Sequence, residues 1–274
     1  MLEHTIPKSA PPMELRRYLA RAYPLLNARD ALKKRDVKVN GARRDGDFTV
    51  GPGDVIRVYA PLDTSIAIAG RANGLLAVVK PQGLPVDVDA QGIGEDTALA
   101  RARRIAPEAR LCHRLDAQTG GVLLLAEEDS ALERALTEFK EHRVRKRYAA
   151  VVRGGFDRPE GVYRDHLRKD PGKALVRITP PGKGALTVET RWKMARPLRG
   201  GLTRVELEPV TGRTHQLRVH MAHYGHPILG DDKYGDRALN RRMGTKLCLW
   251  CEELRLGEDV FRAEAPHWLE DDQN

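Results

Sequence analysis

Apolar residues recur at helical spacing near the start of the chain. Leu15, Tyr18, Leu19 and Ala22 share one face, and Arg16, Arg17 and Arg21 fall on the other, which predicts a short amphipathic helix over residues 14–22. A second short helix is expected near 28–34, ending in Lys33, Lys34 and Arg35. Val37 to Gly41 then reads as a strand and turn, with Asn40-Gly41 as the turn signal, and residues 51–61 as another turn and a closing strand. These elements define a small α+β module over residues 13–60. The Pro-rich residues 1–12 are expected to be disordered and 61–72 to form a linker. Beyond 73, short apolar runs at 75–79, 122–126, 148–152, 187–192, 203–207 and 247–250 predict strands. One clear helix is expected at 130–142. Ser130 and Glu133 would form its capping box, and Leu132, Ala135, Leu136 and Phe139 its apolar stripe. Strands outnumber helices, so residues 73–270 read as an α+β domain with a largely antiparallel sheet. No internal repeat is visible.

Charge changes this picture. The 274 residues carry 47 Lys and Arg against 38 Asp and Glu, a net +9. Residues 13–44 hold ten basic residues and three acidic ones, an excess of seven, so most of the surplus sits in the first module. That concentration points to a polyanion, and nucleic acid in particular. A second basic run spans Lys140, Arg143, Arg145, Lys146 and Arg147, and the chain ends in the acidic Glu270, Asp271 and Asp272. No apolar run approaches the roughly 18 residues of a membrane span. The first residues lack a secretory apolar core, and three cysteines cannot build a disulfide framework. A cytoplasmic, monomeric protein without membrane contact is therefore expected.

Several chemistries lose support. The serines are Ser9, Ser65 and Ser130, none in a nucleophile elbow. Neither a phosphate-cradling GxxxxGK[ST] loop nor a GxGxxG follows a strand. Cys248 and Cys251 lack a second pair, and on a strand they would point to opposite faces. His215, His220, His223 and His226 match no familiar metal spacing, so no metal is expected. Two segments remain. In residues 111–121, Asp116 lies in a polar loop before a buried strand, where it is either a turn residue or a carboxylate facing a cleft. In residues 211–220, an extended reading puts Gln216, Arg218 and His220 on one face, with Arg218 seeking a carboxylate.

Two resemblances follow from these residues. Residues 13–60 resemble the alpha-L RNA-binding motif, the domain named after small-subunit ribosomal protein S-four. The match is carried by Leu15 to Leu19, Lys33-Lys34-Arg35, Val37-Lys38-Val39-Asn40-Gly41 and Gly53-Asp54-Val55-Ile56. Residues 70–268 resemble the RluA-type RNA pseudouridine synthases through ordered motifs. These are Val79-Lys80-Pro81-Gln82-Gly83-Leu84-Pro85-Val86, then His113-Arg114-Leu115-Asp116 with Thr119 and Gly121, then Lys146-Arg147-Tyr148. Gly212 to His220, Gly225 to Asp231 and Tyr234-Gly235 complete the set. Two positions depart from the family pattern: Gly120 stands where Ser is usual, and Leu249-Trp250-Cys251 where Leu-His-Ala is usual.

The second resemblance implies a pseudouridine-synthase-type catalytic domain with a mixed, largely antiparallel sheet. The first implies a small N-terminal α+β RNA-binding domain. The implied activity is isomerisation of uridine to pseudouridine in structured RNA, with large-subunit ribosomal RNA as the expected substrate. Transfer RNA, or a non-catalytic RNA-binding role in ribosome assembly, is the alternative. No cofactor is implied. Asp116 would be the catalytic carboxylate, Arg218 its cationic partner, and Tyr148 the aromatic residue against the uracil. Arg114 would fill the gap left by the flipped base. His113, Leu249, Arg213 and Gln216 complete the expected substrate contacts. Arg16, Arg17, Arg29, Lys33, Lys34, Arg35 and Lys146 are the expected RNA contacts.

Overall fold

The computed structural model describes residues 1–170 and 175–270; the acidic Asp271 and Asp272 lie outside them. The chain divides into two compact units, Met1–Ala67 with Gly83–Ala109, and Ile68–Gln82 with Arg110–Asn274. This division differs from the expected domains 13–60 and 73–270, because residues 83–109 group with the first unit.

In the first unit, β1 (Leu2–Thr5), β2 (Met13–Glu14), α1 (Leu15–Ala22) and α2 (Ala28–Lys33) come first. β3 (Val37–Val39), β4 (Ala42–Arg44), β5 (Thr49–Val50), β6 (Val55–Val58) and α3 (Ala98–Arg103) follow. Helix α1 buries Leu15, Tyr18, Leu19 and Ala22, the face its spacing predicts. Asn27 caps α2 by accepting the Asp30 N–H at 3.1 Å. The Asn40-Gly41 turn joins β3 to β4 with both residues at positive φ, 50° and 83°, as a type I′ turn requires. Residues 1–12 are not a disordered tail. β1 pairs antiparallel with β6, and Ile6 and Ala10 are buried in the unit's core. The Pro content signalled disorder, but Leu2 and Ile6 supply apolar surface to the free edge of β6.

Ile93 joins that core beside Tyr18, Val37 and Ile56, and the Asp96 N–H donates to the Ala22 carbonyl at 2.9 Å. Arg101 of α3 is buried and forks onto Asp96 at 2.6 and 2.8 Å.

The second unit is built on an eleven-stranded sheet. In chain order its elements begin with β7 (Ala67–Ala72), β8 (Leu75–Lys80), β9 (Arg110–Leu111), β10 (Gly120–Ala126) and α4 (Asp129–Lys140). Then come β11 (Arg145–Arg153), β12 (Glu160–Lys169), β13 (Val176–Ile178), β14 (Leu186–Leu198) and β15 (Leu202–Pro209). The last are α5 (Gln216–His223), α6 (Arg237–Met243), β16 (Leu249–Leu256), β17 (Asp259–Arg262) and α7 (His267–Glu270). The spatial order is β13-β12-β14-β15-β11-β16-β10-β8-β7, with β17 on β16 and β9 on β10. Among the described pairings of this sheet, β10 with β16 is parallel and the rest are antiparallel. The α+β class with a mixed, largely antiparallel sheet is as expected. The expected linker is not: its second half is strand β7.

Two local expectations change as well. Helix α4 starts at Asp129 behind Glu128, so Ser130 lies inside it and makes no cap. Its buried side chains are Ala131 and Ala135, while Leu136 is exposed. Residues 216–220 are helical, not extended. Gln216 through Met221 are all buried, so the polar-apolar alternation did not mark a solvent face. Gln216, Arg218 and His220 each have an internal partner, although the buried Nε2 of His220 makes no hydrogen bond.

The two departures from the family pattern occupy one place. In the parallel β10–β16 pair, Gly120 lies opposite Trp250 and Gly121 opposite Cys251. A Cβ at Gly120 would sit 2.6 Å from Trp250 Cε3 and 2.9 Å from Gln82 Cγ. The indole occupies the volume a side chain at 120 would need. Gly120→Ser should therefore destabilise the protein by about 1–3 kcal/mol through overpacking. Adding Trp250→His should restore most of that loss, because the two sites share one space. Urea melts of both single variants and the double test this; simple additivity would refute the shared-volume account.

Candidate active site

Asp116 lies in the loop between β9 and β10, with its side chain about a quarter exposed. The loop is held from inside. The Thr119 N–H donates to the Asp116 carbonyl at 3.0 Å. Lys80, at the end of β8 and fully buried, donates through Nζ to the Ala117 and Pro81 carbonyls, each at 2.9 Å. Burial pushes the Lys80 ammonium down to about 7, and the charge of Asp116 acts in the opposite direction.

Arg218 reaches the same loop from α5. Its Nη1 lies 3.4 Å from Asp116 Oδ2, the pairing expected from the sequence. Its stronger bonds go elsewhere. Nε and Nη2 fork onto the two oxygens of Asp231 at 2.7 Å each, and Nη2 also reaches Asp232 Oδ1 at 2.7 Å. Both Arg218 and Asp231 are buried. Burial acts to raise the Asp231 pKa. The hydrogen bonds and charge of Arg218, with the Tyr234 and Lys233 N–H groups, outweigh it and hold the carboxyl below its ordinary range. The Arg218 guanidinium also lies over the Tyr234 ring, 5.4 Å from its centroid.

His215 precedes α5 in the left-handed conformation, φ 55°. Its Nδ1 is 2.8 Å from the Tyr234 hydroxyl and its Nε2 is 3.7 Å from Asp116 Oδ2. Tyr148 is buried in β11, and its hydroxyl bonds the Cys251 thiol. Burial raises its pKa well above 10, with Cys251 and then Asp116 adding to the effect, so the phenol keeps its proton at neutral pH.

The remaining expected residues separate. Arg114 and Arg213 are exposed. Leu249 is buried in β16 opposite Ala150. His113, expected at the substrate, stacks on Phe139 with centroids 4.9 Å apart. Its Nε2 accepts the Leu124 N–H at 3.0 Å. Burial and then the charge of Lys146 push its pKa down to about 3, so it stays neutral and ties the loop to β10. Gln216 is spent on structure: it accepts from the Thr211 hydroxyl at 2.7 Å and donates to the Glu189 carbonyl at 2.9 Å. Lys146, expected on an RNA-facing surface, is instead buried, with Nζ 5.7 Å from the Phe139 centroid.

In the first unit, Arg16, Arg17, Arg29, Lys33, Lys34 and Arg35 are all exposed. Arg16, Arg29 and Lys33 line a depression of about 500 Å³ with Leu32, Asp45 and Asp47. The four clustered histidines do not converge. His220 bonds Thr190 at 2.8 Å, and His226 stacks on Phe156. Among the described residues, no group of three or more His, Cys, Asp or Glu is placed to hold a metal ion.

Asp231, Tyr234, Lys80 and His215 carried no assigned role in the sequence reading. All four lie within the quoted motifs, but nothing in their spacing says that they meet around Asp116.

The fold and its likeness to known proteins define the class, an RNA-modifying isomerase. The family model for RNA pseudouridylate synthase matches residues 74–223, more than half of the chain, and the chain belongs to that family. Ribosomal large subunit pseudouridine synthase C of Vibrio cholerae is 36% identical over 228 residues, covering 75% of this chain and 70% of that one. The protein of the same name from Pasteurella multocida is 35% identical over 270 residues, covering 86% and 80%. Among solved structures, human RNA pseudouridylate synthase domain containing 1 aligns with a TM-score of 0.63 and 27% identity, over 75% of this chain and 85% of that one.

Arg218 and Asp231 form the structural half of the cluster, and Asp116 the exposed half. Asp231→Ala should cost about 3–5 kcal/mol, because it strands a buried guanidinium. Asp116→Ala should cost less than about 1 kcal/mol, as removal of a long, partly solvated pairing. Equilibrium urea unfolding reads both, and a reversed order would contradict this division.

Proposed function

We propose that the chain converts uridine to pseudouridine in large-subunit ribosomal RNA, with Asp116 as the catalytic carboxylate. The observation that carries this is the placement of one partly open carboxylate against a cation that other acids hold in place. The names of the relatives point to the ribosomal substrate. The reaction breaks the bond between the sugar carbon and uracil N1, turns the base, and joins the same sugar carbon to C5. The C5 proton is released as the base regains a proton at N1, so substrate and product have the same composition. Asp116 acts at the sugar or at the base. Tyr148 lies against the uracil, Leu249 packs at its edge, and Arg114 and Arg213, both exposed, contact RNA around the flipped nucleotide. The pocket needs no cofactor for this isomerisation. The enzyme acts as a cytoplasmic monomer, where its three buried cysteines stay reduced.

Asp116→Asn should retain RNA binding and fold but lose tritium release from RNA carrying uridine labelled at C5. Retained release would refute the assignment. Pseudouridine mapping of ribosomal and transfer RNA, with and without the gene, decides the substrate.

The exposed basic face of α1 and α2 docks on RNA phosphates. Replacing Arg16, Arg29 and Lys33 together with Ala should remove about three phosphate contacts. The slope of log affinity against log salt should then shrink by roughly 2–3. Filter binding across a salt series measures this, and an unchanged slope would reject the docking face.

A further inference from the structure

The chain of hydrogen bonds behind Asp116 fixes the proton on His215. The Val176 N–H donates to the Tyr234 hydroxyl oxygen at 2.9 Å. That oxygen has then accepted one bond and still carries its own hydrogen. The His215 Nδ1, 2.8 Å away, is the acceptor for it. In the opposite tautomer the phenol would accept twice and leave its hydrogen unspent. Nδ1 is therefore the bare nitrogen, and Nε2 carries the proton. Nε2 is the atom that faces Asp116 Oδ2, at 3.7 Å.

We propose that His215 is a positioning residue for the reaction, donating its Nε2–H to the Asp116 carboxylate as a tautomer set by Tyr234. The proposal rests on the reading of Asp116 as catalytic. Arg218 Nη1 also lies nearest Oδ2, at 3.4 Å, so both donors hold the carboxylate by one edge. Both contacts are long, as catalytic hydrogen bonds often are before substrate is bound. The imidazole is neutral, as this requires. Burial lowers its pKa, the charge of Asp116 opposes that, and Arg218 and Lys233 lower it further. The ring is also fixed in place. Tyr234 meets it edge-on, with centroids 5.5 Å apart, and the left-handed backbone at 215 turns the side chain toward the loop. Tyr234 thus serves two donors to Asp116: its hydroxyl sets His215, and its ring carries Arg218.

Two substitutions separate this role from a merely structural one. The amide nitrogen of Gln reaches as far as Nε2 of His; the shorter Asn ends at the position of Nδ1. Asn also suits the left-handed backbone better than Gln. A backbone requirement therefore favours His215→Asn, and a donor requirement favours His215→Gln. Single-turnover rates should fall about 10- to 100-fold in His215→Asn, with RNA affinity unchanged, and recover largely in His215→Gln. Equal rates in the two variants, or wild-type turnover in His215→Asn, would overturn the proposal. Asp116→Asn is assayed in parallel. If it too is active, the catalytic assignment has failed; if it alone is inactive, only the role of His215 has. Independently of activity, long-range ¹H–¹⁵N spectra of the full chain should show His215 protonated on Nε2 and bare on Nδ1. A proton on Nδ1 would refute the tautomer whatever the variants do.

Discussion

The buried pair of Arg218 and Asp231 is the constraint on which the candidate active site depends. A buried ion pair contributes little net stability, because desolvation of both charges offsets their attraction. Its effect here is geometric. The guanidinium is planar with donors in fixed directions. Once Nε and Nη2 are forked onto Asp231, Nη1 is aimed at Asp116. Asp231 is itself fixed, because its Oδ1 accepts the Lys233 and Tyr234 N–H groups at 2.9 Å each. The direction in which the cation meets the proposed catalytic carboxylate is thus set by a backbone turn at 231–234 that bears no reacting group.

Charge is used differently in the two units. In the first, Arg101 is buried against Asp96, but the basic residues of α1, α2 and the turn after them pair only loosely. Arg16 with Asp47, Lys34 with Asp30 and Arg35 with Asp45 all involve basic side chains more than half exposed. Such pairs are worth at most about 1 kcal/mol, so a phosphate can replace the carboxylate at small cost. In the second, Lys80, Arg218 and Asp231 beside Asp116 are withdrawn from solvent and bonded internally. A loosely paired cation suits the RNA-docking role proposed for that surface. A saturated one suits a site that must hold a single geometry.

The strands at 75–79, 122–126 and 148–152 were legible because their short apolar runs are unbroken, and α1 because one face is plainly solvated. Helix α5 was misread for a physical reason. Periodicity arguments equate polar residues with solvent, whereas Gln216, Arg218 and His220 are buried and bonded internally, so their alternation with Leu217 and Val219 imitated a strand. The same equation placed Lys146 on an RNA-facing surface, although it is buried beside Phe139. Asp116 and Arg218 were legible as a pair only through the family resemblance, since the residues themselves said no more than that Arg218 needs a carboxylate. Asp231 as the tighter partner was not, since three acids at 116, 231 and 232 were equally available and only folding ranks their distances. The edge strand β1 was hidden by its prolines, which fall at Pro7, Pro11 and Pro12, after the strand has ended.

Gly120 and Trp250 show why a departure from a family pattern is better weighed in pairs. Taken singly, a glycine beside the Asp116 loop suggests looseness, and a tryptophan in a central strand suggests crowding. Taken together they cancel. Thr119 is buried and donates to the Asp116 carbonyl, and the next residue is the glycine over which the indole lies. Gly121, at φ 107°, follows with Cys251 N only 2.6 Å from where its Cβ would stand, so no side chain fits there either. The strand leaving the loop is therefore pinned by packing from β16, and the rigidity a larger residue at 120 would supply is supplied from across the sheet.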